Sequence, residues 1–141
     1  MVYMLAVLFL FISCEEFIQE EKAYVEAAKT VEGSWKIIQA YRNDVDITHL
    51  MDFSRFRLNF KADHSYSIDH YLPFLVDKNG TWELDDPQYP FKILFAPGSG
   101  TETVETKLNF PIVKGIRQIR LSFSAGCAEN SYTYVFEEAT N

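Results

Sequence analysis

Arg55-Phe56-Arg57-Leu58-Asn59-Phe60-Lys61 has the pattern of a β-strand with one buried face. Phe56, Leu58 and Phe60 alternate with Arg55, Arg57, Asn59 and Lys61, a period of two that puts apolar groups on one face of a strand and charge on the other. Phe91, Ile93 and Phe95 repeat the pattern. Working outward from these, strands are predicted over 35–42, 56–61, 66–72, 81–84, 91–96, 103–110, 116–124 and 132–137, rich in aromatic and β-branched residues.

Between them stand residues that tolerate positive φ or favour turns: Asp63-His64, Asn79-Gly80, Gly98-Ser99-Gly100, Lys114-Gly115 and the loop at Gly126. These links are too short for parallel crossovers, so the strands form a meander. The expected fold is all-β, an eight-stranded antiparallel up-and-down barrel, in which closure removes exposed edges. A β-sandwich is the competing architecture, and pairing of the first strand with the last separates the two. The connection over 43–54 is longer than the others. Within it Asp46 is placed to cap a short helical turn with Ile47, Leu50 and Met51 on one side, a candidate lid.

Upstream of the barrel, Phe17, Ile18, Tyr24, Val25, Ala28 and Val31 recur at helical spacing among charged residues, which predicts one N-terminal amphipathic helix. Further upstream an uncharged apolar run over 2–12 leads to Ser13, Cys14, Glu15 and Glu16. A bilayer span needs ~20 apolar residues, so this run is too short to be one. Its arrangement resembles the lipobox of bacterial lipoproteins, which implies a signal peptide over 1–13 and acylation of Cys14. Residues 14–32 then carry the lipidated cysteine and the helix, and residues 33–141 the barrel. The acidic pair after Cys14 resembles the surface-export signal of Bacteroides-type lipoproteins. That implies a lipid-anchored protein of the outer membrane, on its cell-surface or its periplasmic face.

Composition fits one exported domain, with 48% hydrophobic and 16% aromatic residues in 141. The net charge of −7 disfavours nucleic acid, because phosphate contacts require clustered Lys and Arg. With Cys14 acylated, Cys127 has no disulfide partner and reads as a free thiol in a loop.

Gly33-Ser34-Trp35, opening the first strand, is similar to the Gly-x-Trp motif at the start of the lipocalin barrel. Gly80-Thr81-Trp82-Glu83-Leu84 resembles an internal strand of the small lipocalin-like lipoproteins of Bacteroides-type bacteria. The resemblance implies that Trp35 plugs one end of the barrel, with the glycine letting the backbone pass close to it. The last strand lacks the arginine that commonly crosses this tryptophan in lipocalins; Arg117 and Arg120 lie one strand earlier.

Catalytic chemistry is not legible. His49, His64 and His70 form no metal-binding pattern, and no phosphate loop, nucleophile elbow or His-Glu zinc motif occurs. No cofactor is expected. A small hydrolase or isomerase on this barrel would need Asp69, His70 or His64 to converge inside. The candidate inward face is Trp35, Phe56, Leu58, Phe60, Tyr66, Ile68, Trp82, Phe91, Ile93, Tyr132, Tyr134 and Phe136, with Arg57 or Arg42 at the mouth to meet an anionic head group. An eight-stranded interior is either filled by side chains or holds one small ligand. The expected function is therefore noncatalytic binding of a small apolar or amphipathic molecule by a membrane-anchored barrel. The alternative is a solid-core interaction or accessory module of a surface or periplasmic assembly, its protein partner unknown.

Overall fold

The structure is a computed structural model and describes residues 25–140 apart from 71, 73–75, 99–101, 125 and 127–128. The expected signal peptide over 1–13, Cys14, the greater part of the expected helix and Cys127 lie outside the described residues. Residues 25–32 carry no regular secondary structure.

Ten strands follow: β1 (Gly33–Arg42), β2 (Val45–Asp46), β3 (Arg57–Phe60), β4 (Ser65–Asp69), β5 (Gly80–Leu84), β6 (Lys92–Pro97), β7 (Val104–Asn109), β8 (Ile112–Val113), β9 (Ile116–Ser124) and β10 (Ser131–Glu138). A 3-10 turn covers Thr48–Leu50. Eight of these strands run in the order β10-β1-β3-β4-β5-β6-β7-β9, every pairing antiparallel, and β9 pairs with β10 to close the barrel. First and last strands pair from Trp35↔Glu138 to Arg42↔Tyr132, which decides against a sandwich. The two-residue strands β2 and β8 extend hairpins at opposite ends. Neither carries an alternation long enough to be read from sequence.

β1 serves two neighbours at once. Its register on β10 shifts between Ile37 and Gln39, a bulge that bends the strand. Only Gly33–Trp35 pair with β3. The lower end, where β1 begins and β10 finishes, is plugged by Trp35, which is 3% exposed and donates its indole N–H to the Val31 carbonyl at 2.7 Å. Gly33 stands at φ +127°, a conformation that L side chains rarely adopt. Glu138, rather than an arginine, faces Trp35 across the strands.

At the upper end the 43–54 connection closes the barrel by joining its core. Asp46 accepts the Thr48 amide at 2.8 Å, and the Thr48 hydroxyl accepts the Ala40 amide. Ile47 and Met51 pack on the core while Leu50 is exposed. Phe53 and Phe56 are buried, with Phe53 edge-on to Tyr134 at 6.5 Å. The connection therefore covers the opening by inserting the Phe53 ring beside Phe56, which leads into β3.

The β4–β5 seam is short, with Ser65↔Thr81 and Tyr66↔Gly80 its paired residues. It is reinforced by the Trp82 amide on the His64 carbonyl and by the Ile68 amide on Asn79 Oδ1. The Asn79-Gly80 hairpin turn expected from sequence is corrected here. Gly80 is the first residue of β5 and lies in register with Pro97 of β6. A Cβ built on it would stand 2.0 Å from the Ala96 carbonyl oxygen, so its lack of a side chain permits a close backbone approach. Lys114-Gly115 is a true hairpin turn, both residues at positive φ, joining β8 to β9.

Carboxylates hold several loops. Asp85 accepts the amides of Asp86, Phe91 and Lys92, each at 3.0 Å, and fixes the β5–β6 loop. Desolvation pushes its pKa up, and these amides together more than reverse that, leaving it below the usual value. Asp63, bonded to the Ser65 hydroxyl and amide, is also lowered, as are Asp46 through Thr48 and Asp52 through Ser54. A depressed carboxylate stabilises the fold above its unfolded pKa, near 3.8, and that contribution disappears as pH falls through the lower folded value. Thermal melts should therefore show a melting temperature that drops once pH falls below ~4. The Asp85→Asn variant, which keeps an acceptor oxygen without the charge, should show a shallower drop.

Candidate ligand site

Alternation delivers the expected inward face at most positions. Trp35, Phe56, Leu58, Phe60, Tyr66, Trp82, Ile93, Tyr134 and Phe136 are buried, and Ile68 and Tyr132 are partly buried against them. Phe91 is the exception at 70% exposed. β6 begins one residue later, and the Phe91 amide is bound to Asp85 while its carbonyl accepts the Leu108 amide. The loop thus holds the backbone where strand parity no longer governs the side chain. Phe95, Phe123, Leu108, Ile119, Leu121, Thr106 and Phe53 join the interior, and apart from Phe53 all of them continue the alternation of β6, β7 and β9.

The rings form a continuous network. Phe95 lies 6.0 Å from Phe60, 5.0 Å from Tyr66 and 6.3 Å from Phe123, and Phe123 reaches Tyr134 at 6.3 Å. Tyr134 stacks on Tyr132 at 6.5 Å, and the Arg42 guanidinium caps that stack 5.7 Å from the Tyr132 ring. Burial, with Tyr132 as a second cause, pushes the Tyr134 pKa up to about 12. Arg42 also donates to Asn130 at 3.2 Å, so the upper rim does carry a cation over an aromatic stack. Arg57 is engaged by backbone near the start of β3. Its register partner is Asp69, and its guanidinium donates to the Ser54 and Phe56 carbonyls at 2.8 and 2.6 Å.

Among the described residues, the Tyr66 hydroxyl and the Trp82 indole N–H are buried in this interior without a hydrogen-bond partner. They belong to adjacent strands and flank the Phe60–Phe95 pair, with Phe60 edge-on to Trp82 at 5.4 Å. Burial, followed by the charge of Asp77, pushes the Tyr66 pKa up. A buried donor left unpaired costs about 1–3 kcal/mol. Removing one should return part of that cost, so Tyr66→Phe should leave the free protein as stable as before, or more stable by about 1 kcal/mol in urea unfolding.

Trp82 also lies at the surface end of the site. The exposed His64 ring covers it at 4.8 Å, tilted 30°, on a turn residue held at φ 62°. Two clefts meet on this pair. One, of about 390 Å³, lies between residues 28–32 and β5 and includes Leu84 and Pro87 in its wall. The other, of about 350 Å³, runs over Thr81, Leu94 and Ala96. Each falls in the range of small-molecule sites, roughly 300–1,000 Å³. The strap over 25–32 is held to the β5–β6 loop by the Lys29 amide on the Pro87 carbonyl and by the Gln88 side chain on the Glu26 carbonyl, and the Lys29–Glu26 pair lies within it.

Asp69 and His70 share an open cleft on the outer surface with Ser54 and Arg57, outside the barrel interior, and Asp69 accepts a hydrogen bond from Asn59 at 3.0 Å. His64 precedes β4 and lies at the opposite end of the barrel. Among the described residues, no group of His, Cys, Asp and Glu is placed to hold a metal ion.

Comparison with curated proteins and with solved structures returns no match. A family model described as a domain of unknown function, DUF5004, matches residues 12–137, from just before Cys14 to the end of the last strand. With nearly all of the barrel inside that match, the chain belongs to the DUF5004 family.

Proposed function

We propose that the protein is a noncatalytic binding module, exported and anchored through an acylated Cys14, that takes one small apolar or amphipathic molecule at the His64–Trp82 corner of its barrel. The observation that carries this reading is the pair of buried donors, Tyr66 and Trp82, that find no acceptor among the described residues in an otherwise aromatic interior. A ligand that sets apolar surface against the Trp82 and Phe60 rings, and an acceptor atom beside the indole N–H, would supply what the fold itself does not. Rotation of the exposed His64 ring would uncover that position. The likeness of Gly33-Ser34-Trp35 and Gly80-Thr81-Trp82 to lipocalin-like lipoproteins supports the same reading.

Native mass spectrometry of the mature chain with fatty acids, sterol-like compounds and an extract of producing cells tests it. One displaceable adduct per chain is expected. It should weaken about tenfold in Trp82→Phe, the loss that accompanies one hydrogen bond of about 1.4 kcal/mol. No adduct from any pool would sink the proposal and favour the second reading, a solid-core interaction module. That reading draws its support from the ring-to-ring contacts that occupy the middle of the barrel.

A further inference from the structure

The exposed apolar side chains are unevenly placed. Val45 and Leu50 lie at the upper end, whereas Val25, Tyr89, Phe91, Ile112, Val113 and Ile116 lie at the lower end, where the barrel is plugged by Trp35. Hydrogen bonds connect them into a rim. The Gln88 side-chain amide, beside Tyr89, donates to the carbonyl of Glu26, beside Val25. The Leu108 amide binds the Phe91 carbonyl, and the Gln118 amide binds the Pro111 carbonyl, which opens the β8–β9 hairpin. That hairpin continues past the last β7–β9 pair, Asn109↔Arg120, and carries Ile112, Val113 and Ile116 beyond the barrel end at 64, 43 and 51% exposure.

We propose that the 110–117 hairpin of this lower rim rests in the surface of a lipid bilayer. The charge pattern selects lipid as the occupant. Phe110-Pro111-Ile112-Val113-Lys114-Gly115-Ile116-Arg117 contains no acidic residue in a chain of net charge −7, and its cations stand directly beside its apolar groups. Such a tip can set Ile and Val into the acyl boundary while Lys114 and Arg117 stay among the head groups. The route of the chain agrees. Val25 lies on the same rim and follows Cys14 by eleven residues, which reach at most about 40 Å when fully extended. On this geometry the cleft between residues 28–32 and β5, which includes Leu84 and Pro87 in its wall, stands close to the membrane surface.

This inference draws on the anchor at Cys14, and the test separates the two. The full chain, purified from membranes, is mixed with phosphatidylethanolamine–phosphatidylglycerol vesicles containing brominated lipid, as Val113→Trp and as Leu50→Trp. Both positions are exposed, and equal melting temperatures establish that both variants fold. Quenching of the Val113→Trp fluorescence with none above background for Leu50→Trp is the expected result. No quenching of Val113→Trp in a vesicle-bound, acylated chain overturns the rim contact and leaves the anchor. Equal quenching at both ends also overturns it, as does self-association that Val113→Asp abolishes without any quenching. An unmodified Cys14 in the intact mass, with selective quenching retained, removes the anchor and keeps the rim.

Discussion

Gly80→Ala is expected to destabilise the barrel by about 3 kcal/mol or more, the upper part of the range for overpacking, in a substitution that adds one methyl group. Its Cβ would meet the Ala96 carbonyl oxygen at 2.0 Å, the Ala96 carbonyl carbon at 2.9 Å and the Pro97 Cα at 3.0 Å. All three are backbone atoms, so no side chain can rotate away. Relief requires β5 and β6 to part at Gly80↔Pro97 and Thr81↔Ala96, which also strains the bond from the Gly98 amide to the Asn79 carbonyl. On the other side of β5 stands the two-pair seam with β4, so a displaced β5 has little to hold it. Urea unfolding should show the lost stability, and thermal unfolding a melting temperature lower by roughly 10–20 °C. An alanine variant as stable as the parent would mean that β5 and β6 are not packed as described.

Trp35→Ala is expected to cost about 3–5 kcal/mol, the range for emptying a buried aromatic site. The residue fills the lower end of the barrel, and its indole binds the Val31 carbonyl, so its removal also frees the strap that enters β1. Trp35→Phe isolates the second effect. It keeps a ring in the plug but leaves the buried Val31 carbonyl without the indole donor, and should cost about 1–3 kcal/mol. Hydrogen exchange at the Lys29 amide, which bonds to Pro87 in the strap, should accelerate in both variants. Unchanged exchange there would show that the strap is held independently of the tryptophan.

These substitutions mark where local reading stops. Gly80 carries no sign in the sequence of the strand that will lie across from it. Asn79-Gly80 has the chemistry of a hairpin turn, yet the Asn79 side chain is engaged with the Ile68 amide and the glycine begins a strand. Phe91 has the right parity for the core but sits one residue outside β6, where Asp85 holds the backbone. Phe53 and Phe56 enter the core from the first long connection, and only Phe56 belongs to an alternating run. The Trp82–His64 contact brings together a strand residue and a turn residue from the neighbouring hairpin, which no spacing along the chain relates.

The sequence by itself determined that the chain is all-β, which face of each long strand is apolar, and that short links would join the strands in succession. Those properties follow from the alternation of successive Cβ atoms and from turn chemistry, both local to a few residues. Tertiary structure alone decided which strands close the barrel, where backbones touch, which aromatic rings meet and which buried donors go unpaired. Each depends on register between distant strands, and a single bulge such as that between Ile37 and Gln39 resets it for every residue beyond.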